Sequence, residues 1–208
     1  MGGLEESLLE VLDRSKTLGF LGPGPVEDHL HHARAFARAV DVTAPPSRVM
    51  DLGSGGGVPG LVLAAHWAEA QFVLLDGSSK RCDFLLEAVE KLEWEARVMV
   101  LCGRAEDLGH ELKLRASFDL VVARSFAAPA VTAECAACFM TVGAHLVVSE
   151  PPEELAGDRW NPQGLETLGL GPATLLNDAP RLAVMELREL CPERYPRRVG
   201  VPTKRPLF

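Results

Sequence analysis

Five glycines fall within the eight positions Gly53-Ser54-Gly55-Gly56-Gly57-Val58-Pro59-Gly60, directly after the apolar run Val49-Met50-Asp51-Leu52. Glycines at this spacing let a strand turn sharply into a helix while backbone N–H groups approach a ligand closely. Asp51, at the strand end ahead of the first glycine, suits a ligand carrying hydroxyl and ammonium groups. An ordinary glycine-rich turn has the same composition, so the remainder of the chain has to decide between them.

Downstream, strand and helix patterns alternate. Apolar runs at residues 49–52, 71–76, 97–101, 118–123 and 143–149 predict five short strands. Helical spacing at residues 59–67, 79–92 and 129–139 separates them, with Pro59 tolerated in a first helical turn. Strands of this kind imply a mostly parallel sheet with helices on both faces, a Rossmann-like α/β fold. Residues 182–187 predict one more strand, antiparallel at the sheet edge, and residues 151–180 show only weak periodicity. Ahead of the glycines, residues 4–18 and 26–41 predict two amphipathic helices, joined to the rest by Ala44-Pro45-Pro46-Ser47. The predicted organisation is a helical N-terminal extension (1–46), a ligand-binding domain (47–190) and a basic C-terminal tail (191–208).

Charge and cysteine content narrow the function classes. The 208-residue chain has a formal charge of −8, the wrong sign for a generic nucleic-acid binder. From residue 188 onward, however, Arg188, Arg194, Arg197, Arg198, Lys204 and Arg205 face only Glu189 and Glu193, which predicts a local anionic contact. The five cysteines are scattered, and Cys135-x-x-Cys138 sits among alanines, so small-residue packing is favoured over metal or redox chemistry. His29, His31 and His32 lack a carboxylate or cysteine partner at ligand spacing, and no metal is expected. Neither a signal peptide nor a membrane span is evident, which predicts a cytoplasmic protein without membrane contact.

On a parallel sheet, ligands bind at the carboxyl ends of the strands. Asp51 and Gly53–Gly57 follow the first strand, Asp76 closes the second, Ala105-Glu106 follows the third and Arg124 the fourth. An acid at the second strand end is where a ribose diol is held, and small residues plus an acid after the third suit an adenine edge. Gly55-x-Gly57-x-x-Gly60 formally satisfies a dinucleotide fingerprint. Against that reading, Asp51 places a carboxylate where a pyrophosphate loop prefers none, and no lysine–tyrosine arrangement serves hydride chemistry. An acid-x-Gly-x-Gly-x-Gly opening favours S-adenosylmethionine as cofactor.

These segments resemble the bacterial small-subunit ribosomal RNA guanine-N7 methyltransferases, also called glucose-inhibited division protein B. Asp51–Gly60 is similar to that family's D-x-G-[ST]-G-x-G-x-P-G, in which Pro-Gly is more distinctive than the glycines. Leu75–Leu85, Gly103–Glu106, Phe118–Ala127 and Tyr195–Leu207 resemble its later motifs, in order. The resemblance implies a class I methyltransferase fold and N7-methylation of a guanine in 16S rRNA, with the small ribosomal subunit or its rRNA as partner. Beside Asp51 and Gly55 of the acid-glycine turn, it implies cofactor contacts at Gly53, Val58, Ala105, Glu106 and Arg124, with Asp76 holding the ribose and Arg124 also the candidate nearest the reaction. Lys80, Arg197, Arg198, Lys204 and Arg205 would face RNA phosphates.

The chain departs from the family on the substrate side. Of the family's His-x-x-Asp-Ser only His29 remains, with His32 and Ala33 in place of Asp and Ser. Where the family carries Lys-Gly after the fifth strand, Ser149-Glu150-Pro151-Pro152 stands, reversing the local charge. The same fold and cofactor acting on a small molecule or protein, or a non-catalytic binding module, are the alternatives these positions leave open.

Overall fold

A computed structural model describes residues 2–40, 45–152, 159–178 and 180–208. Ala44 of the predicted linker lies outside them. In chain order the elements are α1 (Gly2–Thr17), α2 (Val26–Ala39), β1 (Arg48–Leu52), α3 (Gly60–His66), β2 (Gln71–Asp76), α4 (Ser79–Lys91), β3 (Val98–Cys102), α5 (Ala105–Leu108), β4 (Phe118–Ala123), α6 (Pro129–Ala137), β5 (Met140–Ser149), α7 (Pro162–Glu166), β6 (Thr174–Leu176), β7 (Leu182–Glu186) and α8 (Val201–Lys204).

The strands form one sheet in the order β3-β2-β1-β4-β5-β7-β6. β1 to β5 pair in parallel, whereas β7 runs antiparallel to both β5 and β6. The strand predicted at 182–187 is therefore antiparallel but internal. The edge belongs to β6, three residues whose weak apolar pattern gives no strand signal. The loop predicted after β3 contains the single turn α5, too short to show a period.

Alternate residues of each strand enter two separate cores, as the two-residue period requires. Val49, Phe72, Leu74, Leu120 and Val122 pack with Leu12, Phe36, Leu61 and Leu85 of α1 to α4. Met50, Leu52, Val73, Leu75 and Val121 pack with Val131 and Ala133 of α6, Leu165 of α7, and Cys191 and Tyr195 of the C-terminal segment. Strands buried on both faces explain why their sequences read as continuous apolar runs rather than alternating ones.

Two contacts fix the glycine segment. The Gly60 N–H at the start of α3 donates to Asp51 Oδ2 at 2.8 Å, and a Cβ at Gly60 would overlap that carboxylate and Leu74. On the other side, Ser15 Oγ of α1 donates to Gly56 O at 2.9 Å.

Candidate active site

The switch in strand order lies between β1 and β4, and the candidate residues gather at the carboxyl ends around it. Asp51 is buried on β1. Its Oδ2 accepts from Gly60, while its Oδ1 is buried without a partner. Burial pushes the carboxyl up to about 7, despite hydrogen bonds from Gly60 and Ser54 that act the other way; Asp76 adds to the rise and Arg124 opposes it.

Asp76 is buried at the end of β2, with Oδ2 accepting from the Gly55 N–H at 2.8 Å and Oδ1 from the Ser78 N–H at 2.9 Å. The first of these ties the glycine turn to the neighbouring strand. Each carboxylate oxygen can accept a further bond, so Asp76 keeps capacity for a hydroxyl ligand. It lines a cavity of about 280 Å³ with Gly53, Gly77, Ser78, Arg81, Arg104, Ser125 and Phe126. Phe126 lies so close over Gly53 that a Cβ there would collide with its ring.

Arg124 follows β4. Its Nη2 donates to His29 Nδ1 at 2.8 Å, and the 3.1 Å contact of His29 Nε2 with the Gly22 carbonyl makes Nε2 the protonated nitrogen. Arg124 Nη1 is buried without a partner. Burial lowers the guanidinium from its ordinary value and Asp51 opposes that shift. Asp51 Oδ1 and Arg124 Nη1 are thus an unpartnered acceptor on β1 and an unpartnered donor just past the end of neighbouring β4. A ligand with a diol, an ammonium and a carboxylate would find complementary groups in Asp76, Asp51 and Arg124.

The other candidates divide. Ala105 and Glu106 open α5 and are buried. Burial works to raise the Glu106 carboxyl, but Arg104 and the backbone N–H groups of Glu106 and Gly200 outweigh it and hold it below the usual range. Glu106 therefore fastens the C-terminal segment to the rim. Val58 is buried in the first core beside Leu61. Lys80, Arg198, Lys204 and Arg205 are exposed. Arg197, expected to face RNA phosphates, is committed inward. Its Nε and Nη2 clasp the fully buried Glu134 at 2.7–3.2 Å, and its backbone N–H donates to Glu134 Oε1. A carboxylate buried in α6 requires a counter-charge, and Arg197 supplies it.

A second cavity, of about 350 Å³, lies beyond Phe126 at the ends of β4 and β5. His32, Arg124, Glu150 and Trp160 are among its lining residues, and Ser125 and Phe126 line both cavities. Burial depresses the His32 imidazole to about 4, with repulsion from Arg124, His29 and His31 adding to the shift. Phe126 lies in the motif Phe118–Ala127 but no sequence pattern assigned it a role, and Trp160 carried no sequence signal. Glu150 did, as a charge reversal at a strand end. Among the described residues no group of three His, Cys, Asp or Glu side chains is placed to hold a metal ion.

The family model described as rRNA small subunit methyltransferase G matches residues 26–151. Proteins named ribosomal RNA small subunit methyltransferase G are similar to this chain. That of Deinococcus radiodurans is 40% identical over 168 residues, spanning 77% of this chain and 66% of the relative. That of Moorella thermoacetica is 33% identical over 170 residues, 78% of this chain and 70% of the relative. That of Syntrophomonas wolfei is 31% identical over 191 residues, 89% and 87% respectively. Among solved structures, an O-methyltransferase from Bacillus cereus in complex with SAH superimposes with a TM-score of 0.60 at 17% identity, over 88% of this chain and 91% of that one. A 16S rRNA N2 G1207 methyltransferase from T. thermophilus, in complex with AdoMet and guanosine, does so with 0.54 at 17% identity, over 78% and 39%. The fold is that of the class I methyltransferases.

Proposed function

This chain belongs to the rRNA small subunit methyltransferase G family, and we propose that it methylates N7 of a guanine in 16S rRNA, using S-adenosylmethionine. The observation that carries the cofactor side of this reading is that Asp51 Oδ1 and Arg124 Nη1 are buried without partners, with Asp76 buried at the next strand end. S-adenosylmethionine supplies a methyl group on a sulfonium, a ribose diol, and an amino-acid end bearing ammonium and carboxylate. On this reading residues 47–190 hold the cofactor: Asp76 receives the ribose, Asp51 the ammonium, Arg124 the carboxylate, and the turn at Gly53 and Gly55 leaves room for the backbone to approach. Val58, Ala105 and Glu106 shape and fasten the rim around it.

A guanine N7 carries a lone pair and no proton, so no residue need act as a base. The chain's contribution is to hold the reacting atoms in line in a site poor in water. Lys80, Arg198, Lys204 and Arg205 supply exposed cations for RNA phosphates, and the protein works in the cytoplasm on the small subunit or its rRNA. No helix among the described residues is long and apolar enough to cross a membrane.

Transfer of a labelled methyl group to small subunits lacking the modification tests the proposal. Nuclease digestion of the product should release labelled 7-methylguanosine. Label in another nucleoside, or only in a metabolite or protein fraction added in parallel, would overturn it.

A further inference from the structure

The second cavity holds an acid where an RNA-binding site would ordinarily carry a base. Glu150 directly follows β5 with its side chain 3% exposed, and its two oxygens accept from Arg159 Nη1 and Trp160 Nε1, each at 3.0 Å. Those bonds orient the carboxylate without exhausting it, since each oxygen can accept more than one donor. Phe126, Pro129 and Trp160 line the same slot with planar or flat apolar groups, the kind of surface on which a nucleobase stacks. His32 also lines it, and its Nδ1 is buried without a partner, which a bound polar ligand would account for. Ser125 and Phe126, which also line the cavity of Asp76 and Gly53, form the wall shared between the two.

Guanine has donors N1–H and N2–H on its Watson–Crick edge and the acceptors N7 and O6 on its other hydrogen-bonding edge. A carboxylate accepts from N1–H and N2–H together, whereas adenine presents a lone pair at N1, which a carboxylate repels. We propose that Glu150 is a specificity-determining residue that takes the N1–H and N2–H edge of the target guanine in this slot, turning N7 toward the shared Ser125–Phe126 wall. The inference rests on the rRNA reading given above and refines it. It gives the reversed charge at this position a role in choosing guanine over adenine, with Arg159 and Trp160 holding the reader in place.

The test compares small subunits rebuilt with guanosine or with inosine at the methylated position, because inosine keeps N7, O6 and N1–H and lacks only the N2 amino group. Wild-type protein should show kcat/KM lower for inosine by on the order of tenfold, the discrimination a paired base contact supplies. Glu150→Gln should lose a similar factor on guanosine and prefer neither base, while its affinity for S-adenosylhomocysteine, read by calorimetry, stays that of the wild type. Equal wild-type rates on both bases would overturn the inference and leave the methyltransferase reading standing. A preference retained in Glu150→Gln would likewise reduce Glu150 to an anchor for Arg159 and Trp160. The wild-type comparison needs no variant, so it decides even where the substitution destabilises the fold. Transfer to neither base would overturn the reading and the inference together.

Discussion

Burial raises the Asp51 carboxyl to about 7, so over much of the pH range the folded chain binds a proton there that the unfolded chain, titrating near 3.8, has released. Stability therefore falls as pH rises from about 4 through about 7, and the penalty is complete above that. Asn at this position retains an oxygen for the Gly60 N–H and carries no charge to bury. We expect the melting temperature of Asp51→Asn to gain on the wild type from about pH 4 to about pH 7 and the difference to stay constant above that, in thermal scans of both proteins. The same variant should bind S-adenosylmethionine more weakly, by calorimetric titration, because the acceptor for the ammonium is gone. Stability and binding moving in opposite directions would mark Asp51 as a residue retained for its ligand at the expense of the fold. Asp51 and Asp76 were legible in sequence because an acid closing an apolar strand is a local pattern. The stacking of Phe126 over Gly53 and the anchoring of Glu150 by Arg159 and Trp160 were not, because each depends on how loops from separate strand ends meet.

The C-terminal segment shows how composition misleads at the level of elements. Its basic residues read as a single anion-binding tail, yet they divide by partner. Arg197 neutralises Glu134 inside α6, whereas Arg198, Lys204 and Arg205 are exposed. Arg197→Ala should cost about 3–5 kcal/mol in urea denaturation, since it strands a buried carboxylate, and adding Glu134→Gln should recover most of the loss. Arg198→Ala, Lys204→Ala and Arg205→Ala should leave the denaturation midpoint unchanged. Each should instead lower the slope of log RNA affinity against log salt by about 0.7 per phosphate contact removed. A slope that does not move would assign the RNA surface elsewhere. β1 to β4 were legible to within a residue because their apolar runs are continuous, whereas β5 begins three residues earlier than its run predicts, at Met140. β6 was not, being three residues that pair only because β7 offers them an edge.

Across the whole molecule, the division at residue 46 drawn from the Pro-Pro linker does not correspond to a gap in packing. Leu8, Val11 and Leu12 of α1 share a core with Leu61, Phe84 and Leu85, Ser15 bonds the glycine turn, and His29 of α2 fixes Arg124. The N-terminal helices are part of the site's support. Removing residues 1–18 should both lower the melting temperature and weaken S-adenosylmethionine binding, read by thermal scan and calorimetry. A truncated protein that kept wild-type affinity would show that the glycine turn holds its shape unaided. Amphipathic spacing revealed that these helices bury a face, but not which surface receives it.

Ser125 and Phe126 line both cavities. A ligand that shifts this common partition from one side alters the room available on the other. Thermodynamic linkage then makes the effect mutual: whatever factor the nucleic acid imposes on cofactor affinity, the cofactor must impose on nucleic-acid affinity. Titrating S-adenosylhomocysteine with and without bound RNA measures that factor, and Phe126→Ala should bring it toward unity. The two halves of the reaction are accordingly not independent traits of this chain, because a change at the partition made to suit one guest is felt by the other.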